Sequence, residues 1–131
     1  MVRRVSAGQA GQSLIEFAII VVVLMLIVVG IIDFSRAVYA RNVIANAARE
    51  AARYGATQPQ DTAGIYQKAR AVMAGLDGDQ LVVAVTYPGV EQIQVDVTYT
   101  FHPVSPLIGR YLDGGSGTGL VLRSRSLMST E

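Results

Sequence analysis

Polar and apolar positions divide the chain into three differently patterned regions. From Phe17 through Ile32 no polar side chain occurs, and Leu14 and Ile15 extend this run backwards past a single carboxylate, Glu16. The stretch over 14–32, apolar at every position but Glu16, predicts a helix about 28 Å long, enough to cross a bilayer core. Beyond Ile32 the pattern changes to a helical stripe. Ala37, Ala40, Ile44, Ala47, Ala48 and Ala51 recur at i, i+3, i+4 and i+7, and no proline or turn cluster occurs before Gly55, so one helix of about 63 Å is predicted from Ser13 to Tyr54. Its outer half, with the alanine face turned toward its own domain, is expected to stand outside the membrane.

The third region alternates. Gly55 and Pro59 are expected to end the long helix, and a second helix is predicted from Thr62 to Ala74, capped by Asp61 or Thr62 and closed by Gly75. Strands are predicted at 81–87, 92–102 and 120–128, with Pro88-Gly89 at the centre of a type II turn. The middle strand alternates most strictly, with Ile93, Val95, Val97, Tyr99 and Phe101 on one face and Gln94, Asp96, Thr98, Thr100 and His102 on the other. A helical turn is expected over 107–112 and a glycine-rich loop over 113–119. The fold class is therefore α+β: a long N-terminal helix, membrane-spanning in its first half, packed on a small antiparallel sheet of about three strands.

Three segments follow: a basic, small-residue leader over 1–11, the helix over 12–55 and an extracytoplasmic domain over 56–131. A domain of that size buries only a modest core, and the chain has no cysteine to staple it. The outer half of the long helix is therefore expected to serve as a core element. Hydrophobic content of 51% reflects the spanning segment. Eleven basic against ten acidic residues give +1, and loss of Arg3 and Arg4 leaves nine against ten, or −1. With no basic cluster interleaved with aromatics, no nucleic-acid partner is expected.

A carboxylate at bilayer depth costs on the order of 3 kcal/mol at a helix centre and less near its end, so Glu16 needs a reason for its place. Gly11, Glu16 five positions later and the aromatic Phe17, behind Arg3 and Arg4 and ahead of an apolar run, resemble a type IV prepilin processing site. Gly30-Ile31-Ile32-Asp33-Phe34-Ser35-Arg36-Ala37 and Asn46 through Tyr54 are similar to TadE-like pseudopilins of tight-adherence (Tad) pilus systems. Where such proteins often carry a proline early in the run, Ile20 to Val23 has none, and a kinked membrane helix is not expected.

The resemblance implies that a prepilin peptidase cuts between Gly11 and Gln12 on the cytoplasmic face. Glu16 would then meet the amino group freed on Gln12, within one subunit or on its neighbour, and that pairing would offset its cost among lipid. It also implies a minor pilin held in the bacterial inner membrane, N-terminus cytoplasmic, until it enters or primes a Tad-type pilus used in adhesion. The implied partners are the peptidase, the membrane platform and its assembly ATPase, a major pilin and a second minor pilin. Without a resemblance, Glu16 would read as a first-turn acid favoured by the helix dipole.

Arg3 and Arg4 favour a cytoplasmic N-terminus, whereas Arg36, Arg41 and Arg49 beyond the run oppose it. A rival reading makes the same run a Sec signal, cut after Ala40 or Ala47 to release a soluble domain. Another keeps the anchor but assigns a binding domain with no filament role. No enzyme, cofactor, metal or small-molecule substrate is expected. His102 is the only histidine, nucleophilic dyads and zinc sites lack ligands, and Asp77 and Asp79 around Gly78 read as a turn. Arg123 and Arg125 read as a solvated strand face.

Overall fold

A computed structural model describes residues 7–105, 110–111, 114 and 118–130, with side chains from Gly11 onward. The first helix, α1 (Ala7–Thr57), is a single uninterrupted rod. It begins inside the expected leader, since nothing in Ala7-Gly8-Gln9-Ala10 breaks a helix already propagating behind it. It also passes through Gly55 and stops ahead of Gln58-Pro59, where the proline ring disfavours helical backbone at the preceding residue. Gly55 is a contact residue. A Cβ placed there would lie 2.3 Å from Ile93 Cδ1 and 3.0 Å from Ile65 Cδ1.

Helix α2 (Thr62–Ala71) is capped by Asp61, whose carboxylate accepts the Gly64 N–H at 2.9 Å. It is three residues shorter than the alternation of apolar residues suggests, and the chain leaves it through Gly75 at φ 88°. A short 3₁₀ turn (Gly78–Gln80), in which Asp77 accepts the Asp79 N–H at 3.2 Å, leads into the sheet.

Strands β1 (Leu81–Gly89), β2 (Gln92–Phe101) and β3 (Leu120–Ser129) form an antiparallel sheet in the order β1-β2-β3. The β1–β2 hairpin turns at Val90 and Glu91, with Gly89 opposite Gln92. Pro88-Gly89 therefore lies within the strand. Gly89 keeps a negative φ, which a type II turn would not allow, and Pro88 falls in the register irregularity between Thr86 and Gly89 on an edge strand. Of the helical turn expected at 107–112, Arg110 and Tyr111 are helical, and the remainder lies outside the described residues. Of the loop expected at 113–119, only Gly114, Thr118 and Gly119 are described.

One face of the sheet lies along the outer half of α1. Ala40, Ile44, Ala47, Ala48, Ala51 and Ala52 meet Ile93, Val95, Val97, Tyr99 and Phe101, with Ile65, Ala69 and Met73 closing one side. Alanine and glycine on the helix allow the β-branched residues of β2 to come close, which is how so small a domain excludes water. From Asp33 to Gly55 the helix rises about 33 Å, and the ten residues of β2 span about 30 Å, so strand and helix match in length. β2 runs back along α1, from Ile93 against Gly55 to Phe101, which lies under the Arg36 guanidinium at 5.4 Å.

Candidate functional site

The inner half of α1 has no protein cover. Leu14, Phe17, Leu24 and Ile31 are 69%, 65%, 54% and 61% exposed, and no buried residue occurs between Gly11 and Ile32. An apolar surface this continuous is a membrane or partner surface rather than a soluble face. At its head the helix brings Gln12 and Glu16 together, with Gln12 Nε2 donating to Glu16 Oε1 at 3.1 Å. The residue that processing would turn into a new amino terminus thus already lies beside the only acid of the run. Phe17 is exposed next to it. Gly11 sits within the helix, and a Cβ there would meet nothing within 4 Å, so the fold does not require glycine at this position.

The exit from the apolar run holds the feature that sequence reading missed. Asp33 is 2% exposed and accepts backbone N–H groups from Val104 (Oδ1, 2.9 Å) and Ser105 (Oδ2, 2.7 Å). Arg36 Nη1 stands 3.5 Å from the same carboxylate. One acid at the base of the outer helix therefore holds the chain where it leaves β2. A signal was present in the sequence: Pro103 and Pro106 end the strand and leave the N–H groups between them in need of an acceptor, and Asp33 directly follows a long apolar run. Neither feature alone reveals the pairing.

Two further carboxylates bind the upper part of the domain. Tyr54 Oη donates to Asp61 Oδ2 at 2.7 Å, joining the end of α1 to the cap of α2. The Gly64 N–H and the Tyr54 hydroxyl hold the Asp61 carboxyl below its ordinary value, and the same contact raises the Tyr54 phenol. Asp96 accepts from Arg125 Nε at 2.8 Å across β2 and β3, and that bond holds its carboxyl below the usual range. Arg125 is thus a cross-strand partner as well as part of a solvated face.

The sign of the resulting pH dependence follows from these directions. A depressed carboxyl contributes stability that is complete above its unfolded pKa of about 3.9 and disappears as pH falls through the lower folded value. The domain is therefore expected to lose stability in acid below about pH 4. Asp96→Asn is expected to lower stability at pH 7 and flatten the acid limb, as read by denaturant unfolding at both pH values.

His102 is exposed at the end of β2 and close to Gly119, whose φ of 84° and 2.9 Å separation from the imidazole Nδ1 at a Cβ position favour glycine there. Asp77 and Asp79 make the turn described above. Among the described residues no group of three or more His, Cys, Asp or Glu side chains converges as metal ligands would.

A single uncovered apolar helix that continues as the spine of a small α+β domain defines a pilin-like protein with an N-terminal membrane-type anchor. Residues 11–53 match the family model described as TadE-like protein, so this segment is similar to TadE-like proteins of the Tad pilus. That family is structural rather than catalytic. The match covers α1 from Gly11 nearly to its end and leaves the sheet outside it. No curated protein and no solved structure matches the chain.

Proposed function

We propose that the protein is a minor pilin of a Tad-type pilus, cut between Gly11 and Gln12 by a prepilin peptidase while its N-terminus lies in the cytoplasm and its sheet domain outside the inner membrane. The observation that carries this reading is the Gln12–Glu16 contact at the head of an uncovered apolar helix. Cleavage would put a positive amino group on the residue that already faces the Glu16 carboxylate. An unpaired carboxylate among lipid would then become one half of an ion pair, available to the same subunit or to the next one added. Gly11 supports the cut site because its neighbourhood has room for a larger residue, so a role in peptidase recognition accounts for a glycine that the fold does not demand.

Assembly then moves the apolar face of α1 from lipid into a helical bundle alongside a major pilin and a second minor pilin, driven by the membrane platform and its ATPase. That exchange is mostly van der Waals contact, since lipid and leucine differ little in polarity. An outward sheet domain is compatible with Arg36, Arg41 and Arg49, because a long downstream domain is translocated largely regardless of its charge.

The secreted-domain alternative fits the fold poorly. Ala40 and Ala47, after which a signal peptidase would cut, are 1% and 0% exposed within the core face of α1. Cutting after either would separate Asp33 from the loop it holds.

The experiment is determination of the mature N-terminus, with Gly11→Leu and Glu16→Gln as variants. Gln12 is expected as the first residue of the native product, and Gly11→Leu is expected to leave the longer precursor. Glu16→Gln is expected to be processed yet depleted from pili. Normal processing of Gly11→Leu refutes the cut site, and a mature chain starting at Arg41 or Ala48 replaces this reading with the secreted one.

A further inference from the structure

We infer that the base of the sheet domain is a second lipid-contact surface, in which Phe34 and Val104 rest in the interfacial layer of a phospholipid bilayer beside the helix that spans it. This rests on the membrane-anchor reading of α1 above. Asp33 immediately follows Ile32, the last residue of the uncovered apolar run, and therefore marks the level at which the helix leaves lipid. Its carboxylate holds the Val104 N–H at 2.9 Å, so Val104 is fixed at that same level although 71 residues separate the two in sequence.

Both apolar side chains at this level face outward. Val104 is 68% exposed and Phe34 is 72% exposed, a costly arrangement in water for two groups held side by side with a membrane segment. Arg36 lies one helical turn farther out, its side chain 49% exposed between Asp33 and the Phe101 ring, at the height where headgroup phosphates would stand. Apolar residues at the water–lipid boundary with a cation just above them form the arrangement by which interfacial segments bind phospholipid. Continuity with the apolar surface of α1 makes lipid the occupant. The opposite end of the domain differs in position: Val90, at the tip of the β1–β2 hairpin, is fully exposed beyond the far end of β2. Lipid contact at the base would hold the sheet domain upright and fix how deep the helix sits.

The chain contains no cysteine, so single-cysteine nitroxide labels report one position each. Full-length Leu24→Cys, Val104→Cys and Val90→Cys proteins, labelled and reconstituted in phosphatidylethanolamine–phosphatidylglycerol vesicles, are compared for relaxation by oxygen, which partitions into lipid, and by a water-soluble nickel chelate. Val104 is expected to show oxygen accessibility well above that of Val90 and nickel accessibility several-fold below it, with Leu24 deeper still. Equal behaviour at Val104 and Val90, with Leu24 in lipid, overturns the contact and leaves the anchor standing. Shielding of Val104 from both reagents means that protein covers the site, and also overturns it. If Leu24 itself behaves like Val90, the anchor reading fails and the contact fails with it.

Discussion

Asp33→Ala is expected to destabilise the domain by about 2–4 kcal/mol, measured as the shift in denaturant midpoint of the full chain in detergent micelles. The Ser105 N–H is buried and would lose its acceptor outright, at a cost of about 1–3 kcal/mol, while the half-buried Val104 N–H would recover part of its bond from water. Loss of the Arg36 ion pair adds little, because that guanidinium remains solvated. Against a total stability of roughly 5–15 kcal/mol for a small domain, this is a large fraction.

Asp33→Asn is the sharper variant. The amide keeps one acceptor oxygen but turns an NH₂ toward a backbone donor, so it is expected to recover at most half of the loss. Full recovery by asparagine would mean that the two N–H contacts do not carry the effect. Glu at the same position retains both oxygens on a longer stem, and is expected to fall between wild type and alanine.

Gly55→Val is expected to cost about 2–4 kcal/mol, from overpacking against Ile93 and Ile65 and from a β-branched residue in a helix. The nearest atoms are the outer carbons of isoleucine side chains, which elsewhere would swing aside. Here both isoleucines are fully buried, so shifting either one presses on the packed core around it. The double variant Gly55→Val with Ile93→Ala is therefore expected to be less destabilised than the two single changes summed, because the truncation makes the room that the insertion needs. Strict additivity in that cycle would show that the two positions do not compete for the same volume.

The two ends of α1 thus use glycine for opposite reasons. At Gly55 the sheet comes too close for a side chain, while at Gly11 nothing approaches, and under the proposed function the glycine there serves peptidase recognition. A helical glycine at position 11 also weakens the helix locally, by about 1 kcal/mol relative to alanine, which would ease unwinding for a peptidase in the proposed reading.

Much of this architecture is written in local patterns. The apolar run over 14–32, the alanine stripe from Ala37 to Ala51 and the alternation of β2 each follow from a periodicity that holds over many residues, and each is found where its period puts it. β2 reads so clearly because it is the central strand, paired on both edges and buried on one face, so every second residue is under the same constraint. The proposed processing motif is local too: Gly11, Gln12, Glu16 and Phe17 fall within two helical turns, and an i, i+4 contact needs only a helix.

Element ends and long-range contacts were decided by tertiary structure. Gly55 and the Pro88-Gly89 pair each carry a strong local turn signal, yet Ile93 and Ile65 close on the first to keep the helix running, and pairing with β2 draws the second into a strand. Asp33 is the clearest case. Its neighbours in sequence make it an acid at the edge of an apolar run, and only the return of β2 along α1 delivers the two N–H groups that give it a role. Periodicity is a property of one segment and survives in the sequence, whereas a hydrogen bond across 71 residues exists only once helix and strand, matched in length, have been laid side by side.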